Sequence, residues 1–156
     1  MLAARDIMTK KVITVSPETL VSDLAKTLSG KNIGGVPVVD ADGRLVGIVT
    51  QSDLVERVQE LKLPPAINIL DLHVYLQIPS HLFRKVEKML GATVADIMSP
   101  KPLTVSPETP VPQIAALMAE QQMHTLPVLE QGKIVGIIGK MDLVRAVARE
   151  GASEAP

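Results

Sequence analysis

The chain has 156 residues, about one ordinary domain, and a formal net charge of -1 at pH 7. It contains no cysteine, which excludes disulfides and zinc–thiolate sites, and no basic block that would make nucleic acid its main partner. Because it has no run of 18 apolar residues and its first residues lack the apolar stretch of a signal peptide, we predict a cytoplasmic protein without a membrane partner.

The residue composition favours a layered fold. One Phe and one Tyr stand against many aliphatic residues, and hydrophobic residues make up 46% of the chain. This mixture is typical of short buried strands covered by helices, so we predict the α/β class, in an α+β-like arrangement. A chain this small cannot bury all of its apolar surface, so we also expect a homodimer.

The sequence repeats itself at a shift of 90 residues. Residues 14–19 and 104–109 are both TVSPET, and 14 of the 34 positions in 6–39 are identical to those in 96–129. After a one-residue deletion the shift becomes 89, and GIVTQSD (47–53) matches GIIGKMD (136–142). We therefore predict two copies of one structural unit.

Each copy predicts the same order of elements. The first copy predicts a strand at 12–15, an N-cap at Thr19, a helix, strands at 36–39 and 45–49 around a turn, and a helix over 51–61. Its first long helix has apolar residues at helical spacing, namely Val21, Leu24, Ala25 and Leu28. The second copy repeats this with Thr109 as N-cap, Pro110 as the first helical residue, and Val111, Ile114, Ala115 and Met118.

An insertion separates the two copies. Its segment 66–78 is apolar without a clear period, Ser80 is a candidate N-cap for a helix over 81–90, and Gly91 would end that helix. We expect the insertion to be ordered, either packed on its own chain or contributing to a dimer contact. The units are then a first copy at 1–61, the insertion at 62–94, a second copy at 95–150 and a flexible tail at 151–156.

The segment GIVTQSD has two interpretations. Thr50 at the N-cap and Asp53 three residues later form a capping-box pattern, which would only close the start of a helix. The same geometry suits a ribose phosphate. The helix N-terminus and the Thr50 hydroxyl would donate to phosphate, the carboxylate would accept from ribose hydroxyls, and residues near 12–14 and 35–37 would enclose a flat base.

The doubled pattern Asp-Ile-Met, Thr-Val-Ser-Pro-Glu-Thr, Val-Pro-Val-Val-Asp and Gly-Ile-Val-Thr-Gln-Ser-Asp resembles the cystathionine β-synthase (CBS) domain pair, or Bateman module. The resemblance implies βαββα repeats packed sheet to sheet about a pseudo-twofold axis. It also implies two clefts for AMP, ADP, ATP or S-adenosylmethionine, dimerisation into flat discs, and regulation of an effector protein.

The resemblance also implies roles for particular residues. Asp53 and Asp142 match the ribose-binding acid, Thr50 matches a phosphate-binding hydroxyl, and His124 matches a phosphate-facing position. Thr14, Thr104, Val36 and Leu126 match base-lining positions, and the neighbouring Gly35, Pro37, Ser52, Thr125, Pro127 and Lys140 complete the predicted nucleotide site. Because Gly139 replaces the hydroxyl of Thr50 in the second copy, we predict that the cleft with Thr50 binds better. Lys140 is the candidate to compensate at the other cleft.

The predicted function is a non-enzymatic regulatory module. The chain has no GxSxG, P-loop or HExxH motif, which leaves no catalytic constellation. His73, His81 and His124 lack metal-ligand spacing, so we predict no metal site. An alternative function remains, a dimeric interaction scaffold whose clefts are vestigial and bind no ligand.

Overall fold

The computed structural model describes residues 2–60 and 80–153. Its elements up to the insertion are α1 (Ala4–Ile7), α2 (Val21–Lys31), β1 (Gly35–Val39), β2 (Leu45–Thr50) and α3 (Gln51–Glu60). The later elements are α4 (Ser80–Leu90), α5 (Val94–Ile97), β3 (Ser99–Pro100), α6 (Val111–Glu120), β4 (Thr125–Glu130), β5 (Lys133–Gly139) and α7 (Lys140–Ser153). The mixture of helices and strands confirms the predicted fold class.

Two small antiparallel sheets carry the fold. In the first sheet β1 pairs with β2, and β2 also pairs with the short β3. The second sheet consists of β4 and β5. Asp40 closes the predicted turn between β1 and β2, because its carboxylate accepts from the N–H groups of Asp42 and Arg44 and Gly43 adopts a φ of 78°.

The predicted opening strand of each copy is reduced to a single bridge. Val15 forms a parallel bridge with Val38, and Val105 forms one with Val128. The extended segment stops there because the next residue, Ser16 or Ser106, donates its N–H to the hydroxyl of Thr19 or Thr109. These threonines therefore close a turn, and the predicted N-caps are wrong by one residue, since α2 and α6 are capped at Leu20 and Pro110.

Each copy has its own hydrophobic core. The four apolar positions predicted on α2 are all buried, together with Val36, Val38 and Val49 of the first sheet. The second core holds Ile114 and Met118 of α6. Ala115 is exposed, which departs from the predicted apolar face of that helix.

The leading segments of the two copies are exchanged. Ala4 of α1 is fully buried in the core of the second copy, and its N–H donates to the Thr109 carbonyl at 2.8 Å. Val94 of α5 is fully buried in the core of the first copy, and its N–H donates to the Thr19 carbonyl at 2.8 Å. The exchange ties the copies together at both ends, although the sequence repeat gives no sign of it.

The second half of the insertion packs on the first copy. Helix α4 ends at Leu90, directly before the predicted stop at Gly91, and contacts α2, with Val86 and Met89 buried. This location agrees with the first of the two expectations for the insertion. The predicted apolar segment 66–78 lies outside the described residues. No helix in the described ranges is long and apolar enough to cross a membrane.

Substituting Gly47 tests the exchanged packing. A Cβ at Gly47 would lie 2.7 Å from Met98 Sδ and 3.0 Å from the Ser99 carbonyl oxygen, and a Cβ at Gly136 would crowd Met8 in the same way. We expect Gly47→Ala and Gly136→Ala each to lower the free energy of unfolding by about 1–3 kcal/mol in urea denaturation. Gly30→Ala is the control, because nothing lies within 4 Å of a Cβ there. Equal stabilities for Gly47→Ala and wild type would contradict the packing.

The contribution of Asp96, at the start of α5, to the stability of the fold depends on pH. Hydrogen bonds from the Thr93 N–H and hydroxyl hold the pKa of Asp96 below its usual value of 3.8, and the positive charge of Arg57 adds to this. A lowered pKa in the folded state means that the charge stabilises the fold above pH 3.8 and that this contribution disappears as the pH falls through the folded pKa.

We therefore expect Asp96→Asn to be less stable than wild type at pH 7, with the difference shrinking as the pH falls below about 4. Denaturation at a series of pH values measures this. Asp6→Asn is the matched control, since Asp6 accepts the same main-chain bond from Ala3, which has no hydroxyl. A difference independent of pH, or an equal loss in both variants, would contradict the assignment.

Candidate functional site

A groove of about 1020 Å³ lies between the two copies and is lined by residues of both. We call it the interrepeat groove. Its walls include the starts of α3 and α7 and the segments that carry Lys11 and Lys101. Each helix start is tied to the loop before the neighbouring strand. The Gln51 N–H donates to the Gly34 carbonyl at 2.9 Å, and the Lys140 N–H donates to the His124 carbonyl at 3.1 Å.

Eight of the predicted site residues line the interrepeat groove: Gly35, Thr50, Ser52, Asp53, His124, Thr125, Lys140 and Asp142. The other six do not line it. Val36 and Leu126 are fully buried core residues, and Pro37 and Pro127 are buried beside them on β1 and β4. Thr14 lines a separate surface hollow beside the SPET turn, and Thr104 is half-buried.

Sequence reasoning missed several polar residues of the groove. Thr9 and Lys11 line it from the first copy's leading segment, and Ser99 and Lys101 line it at the equivalent positions of the second copy. The identity of Lys11 and Lys101 at a shift of 90 was a signal that could have found this pair. Arg145 also lines the groove, one turn beyond Asp142, and no motif pointed to it.

The two oxygens of Asp53 have different surroundings. Oδ2 accepts from the Thr50 N–H at 2.8 Å and from the Thr50 hydroxyl at 3.2 Å. Oδ1 has no hydrogen bond within the described ranges 2–60 and 80–153. One carboxylate therefore caps α3 through one oxygen and leaves the other able to accept from a ligand hydroxyl. The two interpretations of GIVTQSD are compatible.

Asp142 is more fully engaged. Its Oδ2 accepts from the Gly139 N–H at 2.7 Å, and its Oδ1 lies 3.5 Å from the Thr9 hydroxyl and 3.5 Å from Arg145 Nη1. The Asp142 side chain is 12% exposed, whereas Arg145 is 65% exposed. Both oxygens of Asp142 therefore have contacts within the protein, whereas Asp53 is contacted through Oδ2 alone in the described part of the chain.

The missing threonine of the second copy has a packing explanation. Gly35 pairs with Thr50 across the first sheet, and Thr125 pairs with Gly139 across the second, so glycine and threonine have exchanged places. A Cβ at Gly35 would lie 3.0 Å from Thr50 Cγ2 and 3.2 Å from Thr125 Oγ1. A second threonine in either pair would be crowded, because β1 and β4 meet at this point and the threonine methyl group lies close to the Cβ position of its partner.

The groove is more basic than the chain as a whole. Four cationic residues line it, Lys11, Lys101, Lys140 and Arg145, against the two carboxylates of Asp53 and Asp142. Within the described part of the chain, none of the three lysines has an ion pair. No cluster of three or more His, Cys, Asp or Glu residues suited to a metal is found among the residues described. The groove is therefore suited to an anionic ligand with hydroxyl groups.

A CBS domain model matches the chain twice, over residues 4–60 and 94–149. The chain belongs to the CBS-domain family. The CBS domain-containing protein CBSX1 of Arabidopsis thaliana, a chloroplast protein, is 33% identical over 150 residues, which cover 90% of this chain and 62% of that relative. An uncharacterized protein of Methanocaldococcus jannaschii is 28% identical over 92% of this CBS pair and 89% of its own length.

Solved CBS pairs have the same fold. The crystal structure of Arabidopsis thaliana CBSX2 in complex with AMP matches with a TM-score of 0.73 and 29% identity, covering 97% of this chain and 99% of that one. The CBS domain pair of MJ0100, in complex with 5-methylthioadenosine and S-adenosyl-L-methionine, matches with a TM-score of 0.73 over 96% of this chain. At 24% identity, the second likeness concerns the fold alone.

The exchanged glycine and threonine generate a prediction for Gly139. A Cβ there would meet only Asp142 Oδ2 at 3.7 Å and the His124 carbonyl oxygen at 3.9 Å, so Gly139→Ser should be tolerated. Gly139→Thr also adds a methyl group, equivalent to the Thr50 Cγ2 that lies 3.0 Å from the Cβ position of Gly35 in the first copy. This methyl group would crowd Thr125, and we expect the variant to lower the free energy of unfolding by about 1–3 kcal/mol.

A double-mutant cycle provides the control. We expect the double variant of Gly139→Thr with Thr125→Gly to be more stable than the sum of the single losses predicts, since each substitution relieves the other. Chemical denaturation of the four proteins measures the coupling. Additive losses, or a Gly139→Ser variant as unstable as Gly139→Thr, would contradict the packing explanation.

Proposed function

We propose that this CBS pair is a non-enzymatic regulatory module that binds an adenosine-containing ligand in the interrepeat groove. The observation that carries the proposal is Asp53, whose Oδ2 caps α3 while Oδ1 remains able to accept from a ribose hydroxyl. An acidic side chain that accepts hydrogen bonds from ribose hydroxyls is a known element of nucleotide recognition. The AMP complex of the similar CBSX2 supports an adenosine ligand.

The groove has the dimensions and polarity that such a ligand needs. A volume of about 1020 Å³ lies at the upper end of the range for small-molecule sites. Its partly buried aliphatic residues, such as Ile33 and Met123, supply apolar surface for a base. The lysines and the starts of α3 and α7 supply positive potential for phosphate. The ligand is thus held by the residues identified from the sequence together with the cations that sequence reasoning missed.

The first cleft should bind better than the second. Asp53 has an oxygen without a protein partner, and the Thr50 hydroxyl lies beside it. At the second cleft both Asp142 oxygens are contacted within the protein, and Gly139 has no hydroxyl. A ligand there would have to displace Thr9 or Arg145 from the carboxylate, which lowers the net gain.

Signalling would follow from the position of the groove. Because its walls come from both copies, a bound ligand changes the relative stability of different arrangements of the copies or of two protomers. The ligand can shift that equilibrium only by its difference in affinity for the two arrangements. An effector protein that recognises one arrangement would read the shift.

Self-association has a candidate surface on α3 and α7. Val55 is 64% exposed, Val144 52% and Val147 70%, and these are large apolar exposures for helix residues. They favour a homodimer and are also the observation behind the second candidate function, a scaffold whose clefts bind nothing. Sedimentation with and without millimolar nucleotide separates the two functions. The scaffold would form the same dimer under both conditions and would bind no nucleotide.

Titration calorimetry with AMP tests the proposed function. We expect wild type to bind AMP and Asp53→Asn to bind it about tenfold or more weakly, because a charge-assisted hydrogen bond is worth about 1.5–3 kcal/mol. Asn keeps an oxygen that can accept from the Thr50 N–H, so the cap is largely preserved. Asp142→Asn is the matched control and should weaken binding less. No binding of AMP, ADP, ATP or S-adenosylmethionine by wild type would contradict the proposal.

A further inference from the structure

The two ends of the interrepeat groove differ in residue type at three equivalent positions, and in formal charge at two of them. The second copy has His124, Lys140 and Arg145 where the first copy has Gly34, Gln51 and Glu56. All three residues of the second copy line the groove, and Glu56 does not. The Gln51 side chain is already engaged, since its Nε2 donates to the Ile33 carbonyl at 3.0 Å. The second copy therefore supplies the cationic end of the groove.

The two ends are joined by a short path across the contact between the copies. Thr50 Cγ2 and Thr125 Oγ1 both lie next to the Cβ position of Gly35, at 3.0 and 3.2 Å. The residue before Thr125 is His124, whose main-chain carbonyl accepts from the Lys140 N–H. A ligand with its sugar at Asp53 can thus extend past Thr50 and Thr125 toward the cations of the second copy.

The hydroxyl of Thr125 marks this path as a binding surface. Thr125 is 6% exposed and is a residue of the groove wall. No hydrogen bond to its side chain is found in the portion of the chain that the structure describes. A hydroxyl of the groove wall without a protein partner is able to donate to a ligand oxygen.

The Arg145 side chain can exchange its contact with Asp142 for a contact with a ligand. Its guanidinium lies 3.5 Å from Asp142 and is 65% exposed, which makes the ion pair long and accessible to water. Such a pair contributes little, so exchanging it for a phosphate oxygen is inexpensive. A guanidinium binds phosphate with two parallel hydrogen bonds, a geometry that a lysine cannot match.

We propose that the interrepeat groove selects adenosine ligands by the length of their anionic chain, with Arg145 and Lys140 as specificity-determining residues. The inference rests on the proposed function and identifies its ligand class as a nucleoside di- or triphosphate. The sugar lies at Asp53, the phosphates pass Thr125, and the terminal phosphate reaches Arg145 and Lys140. The excess of positive charge in the groove disfavours S-adenosylmethionine, whose sulfonium group is cationic.

Affinities of one set of ligands test the proposal. Titration calorimetry at fixed ionic strength and without divalent cations would compare adenosine, AMP, ADP and ATP. We expect the dissociation constant to fall at each added phosphate, with ATP about tenfold or more tighter than AMP in wild type. We expect Arg145→Glu and Arg145→Gln to bring the ratio of ATP to AMP affinity close to one.

Arg149→Glu is the matched control. It makes the same change of charge one turn further along α7, at an exposed residue that does not line the groove. It should leave the ATP to AMP ratio as in wild type. If AMP binds but ATP is no tighter, or if Arg149→Glu removes the preference as well as Arg145→Glu does, the selection by Arg145 is wrong while the proposed function stands. If no adenosine compound binds at all, both are wrong.

Discussion

The meeting of β1 and β4 at Gly35 and Thr125 is the constraint on which the rest of the structure depends. A glycine at one position and a threonine at the other allow the strands to approach, because a second side chain would overlap atoms that are already in contact. The same approach brings the starts of α3 and α7 to one groove. It also disfavours a threonine at Gly139, opposite Thr125, although a Cβ there has room.

The exchange of leading segments stabilises that arrangement. Each short helix completes the core of the opposite copy, and the methionine that follows it covers a glycine on the opposite sheet. Neither copy can therefore bury its core fully without the other. The groove consequently lies between two units whose cores are each completed by the leading segment of the other.

Much of the fold could be predicted from the sequence because it depends on local patterns. The apolar spacing of α2, the turn at Asp40 and the strands around it follow from residues close together in the chain. The opening strands could not be predicted, since their length is set by a turn in which Thr19 accepts from Ser16 instead of capping a helix. The exchanged segments depend on contacts between distant residues, and no periodicity records them.

Only part of the candidate site could be predicted, because some of its contacts also join residues that are distant in the chain. Asp53 and Asp142 follow from a repeated motif, and the replacement of Thr50 by Gly139 predicted that their clefts differ. The contacts of Asp142 with Arg145 and Thr9 could not be predicted, because these residues approach Asp142 only in the folded chain. Val36 and Leu126 were predicted to line the base because of their positions in the pattern, but alternation along β1 and β4 turns them into the cores.

The most direct test of nucleotide binding in the interrepeat groove is a crystal structure of the protein with AMP bound. We predict density for one nucleotide in the groove, with a ribose hydroxyl donating to Asp53 Oδ1 and the phosphate directed toward Thr125. Nucleotide found elsewhere on the protein, or an empty groove in crystals grown at millimolar AMP, would contradict it.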